Sequence, residues 1–94
     1  TQNFVAKFQA AYGEIPNQFA ADAYDAVYIV AAALEAAGCT PDMSAEEICE
    51  AIIPVMPTLT VDGVTGMGMT WAASGEVSKA PMAVVIKDGV YVTP

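Results

Sequence analysis

The strongest constraint on the fold of this 94-residue chain lies near its C-terminal end. Two runs rich in β-branched residues, Met82–Lys87 and Val90–Thr93, flank the dipeptide Asp88-Gly89. This arrangement is the strongest short-range signal for a β-hairpin with a type I′ turn. The run Met82–Ile86 is almost continuously apolar, as in a strand buried on both faces. Because a two-stranded hairpin is marginal in water, it needs a partner, and no other segment is suited to cover both of its faces.

The first half of the chain has the periodicity of three α-helices. We expect helices over Gln2–Tyr12 and over the Ala-rich segment Phe19–Ala37. Ser44 and Glu47 have the spacing of a capping box at the start of a third helix, which ends before Pro54. The expected apolar faces of the three helices are Phe4, Val5, Phe8, Ala11 and Tyr12; Tyr24, Val27, Tyr28, Ala31 and Leu34; and Ile48, Cys49, Ile52 and Ile53.

Beyond the helices the pattern changes to that of β-structure. The segment Met67–Trp71 predicts a short strand in which Met67, Met69 and Trp71 share one face. The predicted fold class is therefore α/β, with three helices followed by short strands and a C-terminal β-hairpin.

Composition excludes several classes of function. The chain has 3 Lys+Arg, 11 Asp+Glu and no His, for a net charge of −8. It therefore lacks the basic surface that binds nucleic acid, and an anionic membrane surface would repel it. Histidine-dependent catalysis and zinc ligation by imidazole are excluded, and we expect no enzyme activity, no metal and no cofactor. The chain is 55% hydrophobic and 15% charged, whereas an ordinary domain is about 45–50% hydrophobic and about 25% charged. This excess of apolar residues indicates that some apolar surface faces another domain or chain.

Targeting signals are absent from the sequence as it stands. It opens with Thr1 rather than Met, so we expect a chain that was processed or taken from something longer, and it shows no signal peptide. The longest uncharged apolar run, Ala26–Leu34, is shorter than the ~18 residues of a membrane span.

Two sets of residues are candidates for chemistry. Asp22 and Asp25 lie one helical turn apart near aromatic residues, and such a site is able to hold a small ammonium ligand. The alternative is that the two carboxylates complement the helix dipole beside core tyrosines. Cys39 and Cys49 are a possible disulfide, and the alternative is one buried and one incidental cysteine.

The order and spacing of several segments resemble one family. The stretches are Phe4–Gly13, Pro16–Gly38 with its Tyr24-Asp25-Ala26, Gly63–Glu76, and Val85–Val92. Together they resemble the C-terminal part of type I periplasmic solute-binding proteins of the Leu/Ile/Val-binding kind, which serve branched-chain amino acid ABC transporters. One departure is Ala72, where the family usually has Asp at a position that looks structural.

The resemblance implies a division of the chain between two lobes. Residues 1–77 would be the C-terminal portion of the first lobe, residues 78–81 a hinge crossing, and residues 82–94 a hairpin belonging to the second lobe. Phe19 matches the family's aromatic residue that lines the pocket for the ligand side chain. Asp22, one turn further on, is a candidate to face the same cleft.

The implied function is capture of a small solute, a branched-chain or other apolar amino acid, for delivery to an ABC permease. The implied location is extracytoplasmic, in the periplasm or lipid-anchored at the cell surface. A sensory ectodomain of the same fold and a self-associating interaction domain are the alternatives. We also expect the isolated chain to form a homodimer through its exposed lobe face and hairpin, and to bind amino acids weakly or not at all.

Overall fold

The computed structural model describes all residues from Thr1 to Pro94 and confirms the α/β fold class. Three α-helices come first, and short antiparallel strands follow. The elements are α1 (Gln2–Tyr12), α2 (Gln18–Ala37), α3 (Ala45–Ile52), a 3₁₀ turn (Met56–Thr58), β1 (Thr70–Trp71), β2 (Val77–Ser78), β3 (Val85–Lys87) and β4 (Val90–Val92).

The helix ends follow from local chemistry. The side chain of Asn17 accepts a hydrogen bond from the Ala20 amide at 2.9 Å and so caps the start of α2. Gly38, with φ of 67°, ends the same helix in the left-handed conformation. The predicted capping box of α3 is confirmed, because Ser44 and Glu47 each accept a hydrogen bond from the other's backbone amide.

The strand predicted at Met67–Trp71 is shorter in the structure and has a different burial pattern. Only Thr70 and Trp71 pair with β2, while Met69 forms an isolated bridge with Val61. Met69 is 1% exposed and Met67 is 73% exposed, so the prediction that they share a face is wrong. The cause is Gly68, whose φ of 62° interrupts the alternation of an extended strand.

The C-terminal hairpin has the predicted turn. Asp88 and Gly89 have φ values of 52° and 77°, as a type I′ turn requires. The pairing of β3 with β4 is antiparallel and joins Val85 to Val92 and Lys87 to Val90. The paired part of β3 is shorter than the predicted strand, since residues 82–84 have no strand partner.

The predicted helix faces are only partly buried. Phe4 in α1 is buried, and its ring lies 4.4 Å from that of Tyr24, which joins α1 to α2. On α2 the buried residues are Asp25 and Ala33. The following members of the predicted faces are instead exposed: Ala11, Tyr12, Val27, Tyr28, Ala31, Cys49 and Ile53.

The chain is extended for its size. Its radius of gyration is 16.2 Å, where a compact domain of this length has about 12 Å. Its accessible surface is 7049 Å², where a compact monomer of this mass has about 5,100 Å². Only four residues are buried, and the large apolar side chains of the hairpin lie open to solvent. This uncovered surface supports the inference that a further domain or chain packs here, while the division at residues 77 and 82 stays a prediction.

Candidate functional site

One carboxylate organises the contact between α2 and the loop before β1. Asp25 is 4% exposed and accepts three hydrogen bonds from that loop. The donors are the Val64 amide at 2.9 Å, the Thr65 amide at 2.8 Å and the Thr65 hydroxyl at 2.5 Å. Because a buried carboxylate requires such partners, Asp25 fixes the loop onto the helix.

The same network reaches the segment after β2. The Lys79 ammonium donates to the Thr65 hydroxyl oxygen at 3.0 Å, and that hydroxyl donates to Asp25. Lys79 lies within residues 78–81, the predicted hinge crossing. The network of Asp25, Thr65 and Lys79 therefore ties this segment to the centre of α2.

The charge of Asp25 is stabilised by its surroundings. Burial raises the pKa of Asp25, but the hydrogen bonds from Thr65 and Val64 and the positive charge of Lys79 outweigh it. The net result is a pKa below the ordinary value, so the group is an anion at neutral pH.

Gly63 allows the loop to approach this carboxylate closely. A Cβ atom at residue 63 would lie 2.6 Å from the carboxyl carbon and from both carboxyl oxygens of Asp25. Real Cβ atoms do not come so close, so the position accepts only glycine without a displacement.

An open groove of about 800 Å³ lies between the start of α2 and the hairpin. We call it the α2 groove. Its polar lining consists of Gln18, Asp22, Thr65 and Lys79, and Tyr91 also lines it. Its apolar lining is Ala21, Val64, Ala80, Pro81, Met82 and Val84. A groove with one carboxylate, one ammonium and an apolar wall has groups that suit a zwitterion with an apolar side chain.

Only one of the two ligand residues proposed from the sequence lines this groove. Asp22 is half-buried and lines it. Phe19 lies one turn earlier on α2, is 78% exposed and is not part of the lining. Asp25 belongs to a separate recess of about 470 Å³ beside Tyr24 and Tyr28, so the two aspartates do not form one site.

The cysteines are not bonded to each other. Cys39 is half-buried, Cys49 is exposed, and both are free thiols in the structure. The structure therefore does not contain the disulfide considered from the sequence.

Sequence reasoning missed Asp25 as the structural centre and gave no role to Thr65 or Lys79. A signal was present, because Asp25 lies at helical spacing from Ile29, Ala32 and Ala33, the side of α2 that the structure covers. An acidic residue on such a stripe indicates a buried, hydrogen-bonded carboxylate. Its partners 39 and 40 positions away were not deducible from that spacing.

A family model described as periplasmic binding protein matches residues 1–89. The chain belongs to the periplasmic binding protein family. No curated protein and no solved structure matches it.

Membership of this family indicates the general kind of function. Members bind small molecules, typically without catalysis, and work outside the cytoplasm. None of the helices in the structure combines the length and the apolar character that crossing a membrane requires.

Proposed function

We propose that this chain is part of a solute-binding protein that captures a branched-chain or other apolar amino acid and delivers it to an ABC permease. The observation that carries the proposal is the position of Asp22 in the α2 groove, which Lys79 also lines. A carboxylate there pairs with the ammonium group of an amino acid, and Lys79 pairs with its carboxylate. Met82 and Val84 offer an apolar wall to the side chain.

Phe19 has a supporting role in this proposal. Its ring is exposed at the first turn of α2, and Phe19 follows Gln18, which lines the groove. Such a ring is available to close over an apolar ligand side chain when a second lobe approaches.

The test is an NMR titration of the chain with millimolar leucine, read from the backbone amides of α2 and of residues 79–84. We expect shifts centred on Asp22 and Lys79 that Asp22→Asn weakens severalfold and Phe19→Ala weakens less. N-acetylleucine is the matched ligand control, because it keeps the side chain and lacks the ammonium group. Asp42→Asn is the control variant, because Asp42 is an exposed acid in the loop before α3. Equal shifts with both ligands, or shifts that Asp22→Asn leaves unchanged, would contradict the proposed site.

The permease and the homodimer need separate measurements. Delivery to a permease predicts that a longer protein containing this sequence restores uptake of leucine in cells that lack their own receptor. A homodimer of the isolated chain through its exposed lobe face and hairpin predicts a sedimentation coefficient that rises with concentration. A following membrane-spanning segment in that longer protein would instead favour the sensory ectodomain.

A further inference from the structure

One of the three lysines in the chain is held in place by another side chain. The Lys79 ammonium donates to the Thr65 hydroxyl oxygen at 3.0 Å, whereas Lys7 and Lys87 are exposed and donate to no protein group. An exposed lysine ordinarily keeps its ammonium mobile, because ordering its long stem costs conformational entropy. A contact that orders Lys79 alone therefore gives this acidic chain one fixed positive charge.

The Thr65 hydroxyl is itself oriented by a buried anion. Its single hydrogen is directed to the Asp25 carboxylate at 2.5 Å, because an ionised carboxylate only accepts hydrogen bonds. The Met69 sulfur, 3.9 Å from the same hydroxyl oxygen, is a weak competing acceptor. The lone pairs of the oxygen are left for the Lys79 ammonium, which only donates. Asp25 thus fixes the direction of the hydroxyl, and the hydroxyl fixes the ammonium.

The stem of Lys79 is confined as well as its head. It passes Gly66, where a Cβ atom would lie 3.5 Å from both Cβ and Cδ of Lys79. Gly66 does not have a positive φ, so its backbone does not require glycine. Its lack of a side chain leaves the space along which the lysine stem runs. Thr65 and Gly66 therefore hold the head and the stem of the same side chain.

This anchor leaves the charge of Lys79 available to a ligand. The partner is a neutral hydroxyl, and no carboxylate makes a direct ion pair with the ammonium, although the chain has 11 acidic residues. An ammonium has three N–H donors, so two remain after the bond to Thr65. Lys79 lines the α2 groove together with Asp22. A group that is ordered before the ligand arrives loses less conformational entropy on binding.

We propose that Thr65 is a positioning residue, whose hydroxyl holds the Lys79 ammonium at the α2 groove so that the groove prefers a solute with a free carboxylate to the corresponding amide. This preference rests on the proposed function, in which Lys79 pairs with the carboxylate of an amino acid. The ordering of Lys79 in the chain without solute does not rest on it, so the two are separable by experiment.

The first measurement needs no solute. Carbon-13 relaxation of the lysine Cε groups reports the mobility of each side-chain head, and Lys7 and Lys87 are internal references for a free lysine. We expect Lys79 to be the most ordered of the three in the wild type. Thr65→Val keeps the shape of the side chain and removes the hydroxyl, so Lys79 should become as mobile as the references. Thr65→Ser retains a hydroxyl and should keep Lys79 ordered, and helical circular dichroism checks that each variant is folded.

The second measurement compares leucine with leucinamide, which keeps the ammonium group and the side chain and lacks the carboxylate. At about pH 6 both ligands carry a positive amino group. In the wild type, leucine should shift the Lys79 Cε signal about two- to fivefold more than leucinamide at the same millimolar concentration, the range of an exposed ion pair. Thr65→Val should remove most of this difference, and Thr65→Ser should keep it.

The possible results separate the positioning role from the proposed function. The positioning role is overturned if Lys79 is as mobile as Lys7 and Lys87 in the wild type, or if Thr65→Val leaves its mobility unchanged. Loss of order in Thr65→Ser as well would overturn it too, because packing at residue 65 rather than the hydroxyl would then hold the lysine. An ordered Lys79 with equal shifts from leucine and leucinamide would instead contradict the proposed pairing with the solute carboxylate and overturn the preference that rests on it.

Discussion

The hydroxyl of Thr65 donates to the carboxylate of Asp25 at 2.5 Å across 40 positions of sequence, and it accepts from the Lys79 ammonium on its other side. One side chain thus joins the second helix to the segment that leads into the hairpin. In a chain with four buried residues, this polar network is a large share of what holds the loop and the helix together. The network therefore makes the stability of the fold depend on Asp25, on pH and on the glycine at position 63.

Replacing Asp25 with Ala should destabilise the fold more than any other removal of a single carboxylate. The change leaves the amides of Val64 and Thr65 and the Thr65 hydroxyl without their acceptor, at a cost of roughly 2–4 kcal/mol. Urea unfolding followed by helical circular dichroism measures the loss. Asp22→Ala, on the same helix and without a side-chain hydrogen bond, is the control and should change stability by less than about 0.5 kcal/mol. Equal losses in the two variants would show that the network is not a stabilising unit.

Stability should also fall in acid because of Asp25. Its pKa is lower in the folded chain than its ordinary value of 3.8, so the ionised group stabilises the fold at pH above that value. The stabilisation is lost as the pH falls below 3.8 and through the lower folded pKa. Asp42, whose pKa is lowered by the hydrogen bond from Thr40, acts in the same direction. The urea midpoint measured between neutral pH and strong acid should drop less steeply in Asp25→Asn than in Asp42→Asn. The opposite order would contradict this assignment.

Gly63→Ala should be destabilising through Asp25 rather than through backbone strain. The added Cβ lies 2.6 Å from the carboxylate in its present position, and displacing that group costs about 1–3 kcal/mol. A double-mutant cycle separates the causes, because the cost should shrink when Asp25 is already Ala. If Gly63→Ala lowers the free energy of unfolding equally in both backgrounds, the effect does not act through Asp25.

The two cysteines should react as free thiols. Cys49 is exposed and Cys39 half-buried in the structure, so both should be accessible to a thiol reagent in the native chain without reductant. Quantitative labelling followed by intact mass gives the number of modified sites, with Cys49→Ser as the control that removes one of them. A native chain that takes up label only after reduction would show that the disulfide considered from the sequence does form.

The elements with local causes could be predicted from the sequence. The bounds of α1 and α2 agree with the periodicity to within one residue, because Gly13 and Gly38 end the helices within the same short stretch of chain. The same is true of the capping box at Ser44 and the turn at Asp88 and Gly89. The apolar excess also indicated that the surface is incomplete, and the 7049 Å² of accessible area supports that inference.

The candidate site depended on contacts that periodicity does not contain. The sequence placed Asp22 and Phe19 at the start of α2, but the α2 groove, which Asp22 lines, is also lined by residues 79–82, Val84 and Tyr91 from the far end of the chain. Only the tertiary structure put Lys79 there and left Phe19 outside the lining.

Asp25 shows most directly what each level determined. Its place on α2 follows from local helix propensity, which acts over a few residues and is therefore visible in the sequence. Its role as a hydrogen-bond acceptor depends on the amides of Val64 and Thr65, which lie 39 and 40 positions later in the chain. Burial and hydrogen bonding together select these long-range partners. The sequence by itself determined the helices, the hairpin turn and the family. The tertiary structure decided which charged groups meet, because a buried carboxylate is stable only where hydrogen-bond donors reach it.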